Sequence, residues 1–161
     1  MAMAILATER GIPQLYYGSE IGMAGDKGKG DGDIRHDFPG GWKGDEHNAF
    51  TASGRNGQEK QYFDFTSKLF TWRKGKAVIH SGKTTQYLPY DNVYVYFRYN
   101  EKETVMVLVN NSKDAKTFGT GRFGESLKNY KSGTDVITGK TVNVTGEITM
   151  EPKSVMVLEL K

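Results

Sequence analysis

Apolar and polar positions change rhythm twice along this chain, and each change marks a different kind of element. In "MAMAILATERG" Ala2, Ala4 and Ala7 favour a helix, Arg10 suits its last turn and Gly11 supplies the stop. No capping residue precedes it, so the pattern predicts the C-terminal half of a helix in a chain that starts inside a larger protein. Residues 12–17 predict a short strand, with Pro13 near its start where a missing donor is tolerated. Helix, tight turn and apolar strand together read as one αβ step of a parallel sheet. Residues 18–57 then lose all periodicity, and eleven of them are Gly, which predicts a long loop of functional character.

The second change comes at residues 58–75, "QEKQYFDFTSKLFTWRKG". Tyr62, Phe65, Leu69 and Trp72 recur every three or four positions, Phe63 and Phe70 widen the stripe, and Arg73, Lys74 and Gly75 close a helix. From residue 76 short runs with strand alternation take over: "TTQYLPY", "NVYVYFRYN", "ETVMVLVNN", "TDVIT", "KTVNVTG", "EITM" and "SVMVLEL". Asn100 to Glu103 and Thr138 to Lys140 read as hairpin turns. The expected fold is mainly β, an antiparallel sandwich over 76–161 preceded by a distinct segment over 1–75.

Composition narrows the function classes. Aromatics make up 12% of the chain, with nine Tyr and eight Phe, as suits β structure. The 22 basic and 19 acidic residues are interspersed, giving +3, a solvated surface and not a nucleic-acid footprint. Cysteine is absent, which excludes disulfides, thiolate metal sites and a Cys nucleophile and fits either the bacterial cytoplasm or the periplasm. No apolar run approaches the ~20 residues of a membrane span, so no membrane partner is expected, and the N-terminus lacks the basic region of a signal peptide.

Candidate chemistry gathers in the loop stretch "GDKGKGDGDIRHDFPGGW". Its acidic spacing fails the calcium-loop pattern because Arg35 stands where a third oxygen ligand belongs. His36, His47 and His80 are too scattered for zinc. "GTGRFG", residues 119–124, matches a nucleotide-binding glycine pattern only formally; lying between sandwich strands, it reads as a β-turn region.

Three stretches taken together carry a family resemblance: "MAILATERGIPQLYYGSEIGM", "GDGDIRHDFPGGW" and "KLFTWRKGKAVIHSGKTTQYLP". In order and content they resemble the C-terminal third of the α-amylase family of glycoside hydrolases, nearest to its neopullulanase and cyclomaltodextrinase type. The resemblance implies that residues 1–75 are the end of a (β/α)8 barrel: a helix end, the eighth strand, a substrate-side loop over 18–57 and the eighth helix. Residues 76–161 would be the all-β domain that follows. Relatives of this kind hydrolyse α-1,4-glucosidic bonds with retention, using three carboxylates on or after barrel strands four, five and seven. Nothing here matches those motifs, so no catalytic residue is carried over, and the chain alone is expected to be inactive while its parent is an enzyme. No cofactor is expected, although the resemblance leaves open calcium in the parent. The expected partners are an α-glucan or maltooligosaccharide and the remainder of the barrel.

The resemblance also implies site residues. An Asp followed closely by an Arg lines glucose subsites in such loops, and Asp33 with Arg35, or Asp31 with Arg35, is similar. Carboxylate and guanidinium can bracket sugar hydroxyls, and Trp42 could stack on a pyranose. The competing reading is an ion pair that pins the loop. Two function classes therefore stand: a non-catalytic C-terminal portion that stabilises a barrel and lends it a loop, or an autonomous carbohydrate-binding sandwich. The second needs an exposed aromatic face, and alternation offers Tyr94 and Tyr96 on one face of a strand with Phe97 and Tyr99 on the other.

Overall fold

Eight strands, all beyond residue 82, dominate the second half of the chain in the computed structural model, which describes residues 1–161. They are β1 (Lys83–Tyr90), β2 (Val93–Tyr99), β3 (Thr104–Asn110), β4 (Lys116–Gly119), β5 (Ser132–Asp135), β6 (Thr141–Asn143), β7 (Glu147–Met150) and β8 (Ser154–Leu160). Six form one sheet in the order β1-β2-β3-β8-β5-β6, and β4 pairs with β7 in a second, and every pairing is antiparallel. The arrangement is a sandwich without a closed barrel, as the strand rhythm predicts.

Turn chemistry sets the register. β1 and β2 are joined by Asp91 and Asn92, both at positive φ (48° and 63°), the two-residue turn that matches strand twist and tolerates Asp and Asn. Asn100 closes the next hairpin: its Oδ1 accepts from the N–H groups of Lys102 and Glu103. Asp135 does the same for β5 and β6, with its Oδ2 accepting from the Thr138 N–H and hydroxyl.

Between the sheets lies the main core. Val93, Val95 and Phe97 of β2, Met106 and Leu108 of β3 and Leu158 of β8 face Ile148 and Met150 of β7. Phe123 and Leu127 complete it from the connection between β4 and β5. That connection is a 3-10 turn, Thr120–Phe123, followed by a short helix, Gly124–Leu127. The β-turn expected at 119–124 is therefore corrected to a helical one, because the spacing of Phe123 and Leu127 puts both side chains on the side facing the core.

The other face of the six-stranded sheet is covered as well. Helix α1 (Ala2–Thr8) and helix α3 (Ala77–Ser81), with the end of helix α2 (Gly57–Lys74) between them in the chain, belong to the same unit as the strands: one unit comprises residues 1–13 and 69–161. Strand β3 is buried from Val105 to Asn110 without alternation, the mark of a strand covered on both sides. Ala4 and Ala7 are fully buried, and their small side chains permit close approach of α1. Tyr96 places its hydroxyl 2.6 Å from Thr8 Oγ1, whose own proton goes to Ala4 O. Arg98, 1% exposed, donates to Thr8 O at the end of α1 (3.2 Å) and to Ile79 O and Gly82 O at the end of α3 (2.9 Å each). Burial pushes its guanidinium pKa downward. Arg73 adds bonds to Ala7 O and Gly11 O, so two cations sit at the C-terminal end of α1, where the peptide dipoles favour them. Gly82 is required: a Cβ there would collide with Val78 O and come within 2.9 Å of Tyr99 O.

Beside this clamp lies a second polar link. Trp72 Nε1–H donates to Glu159 (2.8 Å), and Lys76 Nζ bridges Glu103 (3.0 Å) and Glu159 (2.5 Å). Glu159 raises the Lys76 pKa most, outweighing desolvation. Burial tends to raise the Glu159 pKa, but Lys76 and Trp72 more than offset it and hold the carboxyl below its usual range.

The strand expected over 12–17 is absent. Residues 12–16 have no regular structure, Ile12 is 98% exposed, and Tyr16 and Tyr17 are also exposed. A ladder needs a neighbour, and every strand of this chain already pairs within residues 83–160. Gln14–Lys68 form the second unit, which holds the long loop and most of α2. No helix is long and apolar enough to cross a membrane.

Candidate functional site

Within Gln14–Lys68 the loop is ordered by its own carboxylates. Asp26 ends an extended stretch and caps a 3-10 turn at Lys27–Lys29 by accepting from the Gly28 N–H. Asp33 turns back toward it and accepts from the Asp26 N–H at 2.5 Å. Asp31 pairs with Lys27 and, at 3.4 Å, with Arg35. The structure therefore joins Arg35 to Asp31, while the Asp33 carboxylate serves the backbone. Arg35 and Asp31 remain more than half exposed, so their attraction is worth little in water. Tyr17 OH lies 3.1 Å from both Arg35 O and His36 O and fixes the chain there.

Trp42 stands apart from this cluster in its bonding and is 68% exposed. Its backbone is held: Asp45 Oδ2 accepts from the Gly40 N–H (2.7 Å) and the Trp42 N–H (3.0 Å). Those two donors, Trp42 first, lower the Asp45 pKa. The result is an indole presented to solvent on a pinned turn. Gly40 has φ of 104°, and a Cβ there would strike Asn48, so this turn admits no other residue without moving.

Sequence reasoning missed the anchor of the segment. Asn56 Oδ1 accepts from the Gln58 and Glu59 N–H groups, while Glu59 Oε2 accepts from the Asn56 N–H, a reciprocal cap that starts α2. The N-x-x-E spacing before an apolar stripe was the available signal. Glu59 Oε1 also meets His47 Nε2 at 2.8 Å. Burial tends to raise the Glu59 pKa, but the Asn56 N–H and His47 override it and keep the carboxyl low. Arg55 lies 3.4 Å over the Phe63 ring and donates to Ala49 O, tying loop to helix. Glu59, Asn56, His36 and Pro39 line a cleft of about 240 Å³ with residues 21–24. No three His, Asp or Glu side chains converge as metal ligands would.

Residues 84–159, which hold all eight strands almost end to end, match the cyclo-malto-dextrinase C-terminal domain family. The match covers just under half of the chain. The cyclo-malto-dextrinase-type domain is accompanied by wider similarity along the chain. A cyclomaltodextrin glucanotransferase of Geobacillus stearothermophilus is 32% identical over 123 residues, 76% of this chain and 15% of that protein. A cyclomaltodextrinase of Thermoanaerobacter pseudethanolicus is 26% identical over 161 residues, 99% of this chain and 24% of that protein. Among solved structures, the α-amylase of Geobacillus thermoleovorans complexed with acarbose superposes with a TM-score of 0.72 at 22% identity, over 99% of this chain and 32% of that one. The chain thus spans about a quarter or less of the curated relatives named, and it carries a C-terminal domain of the α-amylase family of glycoside hydrolases.

Proposed function

We propose that this chain is the non-catalytic C-terminal portion of an α-glucan-degrading hydrolase of the α-amylase family. In this reading residues 1–75 are the end of its barrel, residues 76–161 are the domain that follows, and the sandwich steadies the barrel through its helices. The observation that carries it is the grip on α1: Tyr96 and Arg98 fasten this helix to a sheet formed some ninety residues later, and Arg73 ties it to the end of α2. A binding module has no need of such a fastening. Its required platform on β2 is also closed, since Tyr96 and Phe97, one on each face, are both fully buried.

The loop's part is to supply Trp42, Asp31, Asp33 and Arg35 to glucose subsites. What supports this is presentation: Trp42 is exposed on a turn that Asp45 holds rigid, and Arg35 and Asp31 point their polar atoms to solvent. An indole face takes the apolar side of a pyranose, and a carboxylate–guanidinium pair takes vicinal hydroxyls. Retaining hydrolysis needs two carboxyls ~5 Å apart on a rigid scaffold, which the remainder of the parent must supply. Incubating the purified 161-residue chain with starch, pullulan and β-cyclodextrin should release no reducing sugar. Turnover by this chain would end the reading. In the parent enzyme Trp42→Ala should raise KM for maltooligosaccharides and leave the melting temperature unchanged.

A further inference from the structure

We propose that the peptide Asn56–Gly57 is a site of self-modification, at which Asn56 cyclises onto the Gly57 nitrogen and sheds ammonia, and that the cap of α2 governs how fast this happens. It is the one Asn–Gly pair in the chain. The chemistry needs no cofactor. A base takes the Gly57 N–H proton and the nitrogen attacks Asn56 Cγ. The bond from Cγ to the side-chain nitrogen breaks, and ammonia carries the proton away. Water then opens the succinimide ring at either carbonyl and leaves aspartate or isoaspartate. Glycine matters because it has no Cβ to keep its nitrogen from the neighbouring side chain.

Both residues are exposed, and a Cβ at Gly57 would meet no atom within 4 Å, so base and water reach the peptide freely. As the first residue of α2, Gly57 has an N–H with no acceptor inside the helix. Other asparagines are placed differently. Asn110 is fully buried, with its amide donating to Glu151 O at 2.8 Å. Asn48, Asn100 and Asn143 precede Ala, Glu and Val, whose side chains crowd the attack.

What restrains Asn56 is the cap. Its Oδ1 accepts from the Gln58 and Glu59 N–H groups at 3.0 Å each, and Glu59 Oε2 holds the Asn56 N–H at 2.9 Å. Ring closure swings Cγ off those donors and turns the peptide out of the extended backbone of a cap residue. His47 braces the arrangement through Glu59 Oε1, and Arg55, the preceding residue, lies over the Phe63 ring. The reaction therefore proceeds from the open cap, and its two products part there. Aspartate keeps the acceptor oxygen and adds a negative charge where the helix dipole favours one, so the cap recloses. Isoaspartate routes the backbone through the side-chain methylene, lengthens the chain path by one carbon and leaves α2 uncapped.

The test is storage of the full 161-residue chain in mildly alkaline buffer, with peptide mapping by mass spectrometry to locate amide-to-acid conversion and fragmentation to separate the two acids. Asn56 should convert before any other asparagine, and faster in urea than in the folded chain. Glu59→Ala should hasten conversion of the folded chain by about five-fold, and His47→Ala by a smaller factor. Both variants should remain slower in buffer than in urea, which marks an opened cap and not an unfolded chain. Gly57→Ala keeps the fold and should suppress conversion over the same period. Conversion at Asn48 or Asn111 ahead of Asn56, or equal rates for the folded and urea-unfolded chains, overturns the assignment. So does a folded rate indifferent to both Glu59→Ala and His47→Ala.

Discussion

Arg98 offers the sharpest test of how the helical face is held. It is a buried cation with no carboxylate partner, bonded only to carbonyls at the ends of two helices. Each charge-assisted bond contributes roughly 1.5–3 kcal/mol, so the three shortest would sum to about 4.5–9 kcal/mol, and a fourth, to Val78 O at 3.5 Å, is long and shares the same Nη2. Against this stands the several-kcal/mol cost of desolvating a lone guanidinium, so the net is a fraction of that sum, about 2–4 kcal/mol. Arg98→Met removes the cost along with the bonds but leaves helix-end carbonyls unpaired, and should destabilise by that amount. Arg98→Lys is the discriminating variant. A lysine keeps a desolvated charge yet cannot reach both helix ends with a planar fork, so it should lose at least as much as methionine. Urea unfolding in a Trp42→Phe background reads the right event, because the remaining Trp72 is bonded to Glu159 on the sheet. If Arg98→Lys unfolds within about 0.5 kcal/mol of the parent, a point charge suffices and the fork argument fails. If Arg98→Met is as stable as the parent, the three bonds contribute nothing net.

Further predictions concern other links. Glu159 has a folded pKa below its unfolded one, so its contribution is present above the ordinary glutamate range and lost as pH falls through the lower folded value. Melting curves across mild acid should show that slope, and Glu159→Gln should flatten it; an unchanged slope would acquit Glu159. Asn56→Ala removes the reciprocal cap of α2 and should cost about 1 kcal/mol, read as faster amide exchange confined to the first turn. Phe123→Ala opens the core between the sheets and should cost about 3–5 kcal/mol in urea, while Phe50→Ala, on an exposed loop, should cost far less.

Elements whose partners lie close in sequence were legible. The hairpins turning at Asn100 and Thr138, and the helix whose stripe runs through Leu69, follow from local rules alone. Strand β4 escaped notice because "KTFG" has a single inward ring, and its strand character comes from pairing with β7, Phe118 opposite Ile148. The stretch 12–17 failed in the opposite sense: it has strand-like residues and no strand to pair with. Arg98 was invisible for another reason. An arginine alternating with Tyr94 and Tyr96 reads as an outward position, and only the arrival of α1 and α3 makes it interior. In the loop, composition located the charged cluster but not its wiring, since Asp31, Asp33 and Asp45 are chemically alike and only backbone geometry decides which one meets Arg35 and which meets an N–H.

The bonds fastening α1 also impose an order of events on the ribosome. Seven residues are too few to hold a helix by themselves, yet the groups that secure it lie 66 and 90 positions downstream. Those particular bonds cannot all form until β2 has left the exit tunnel, and at ~5–20 residues per second that delay is on the order of 5–20 seconds. For that interval the carbonyl of Thr8 lacks the Arg98 guanidinium that satisfies it in the finished fold.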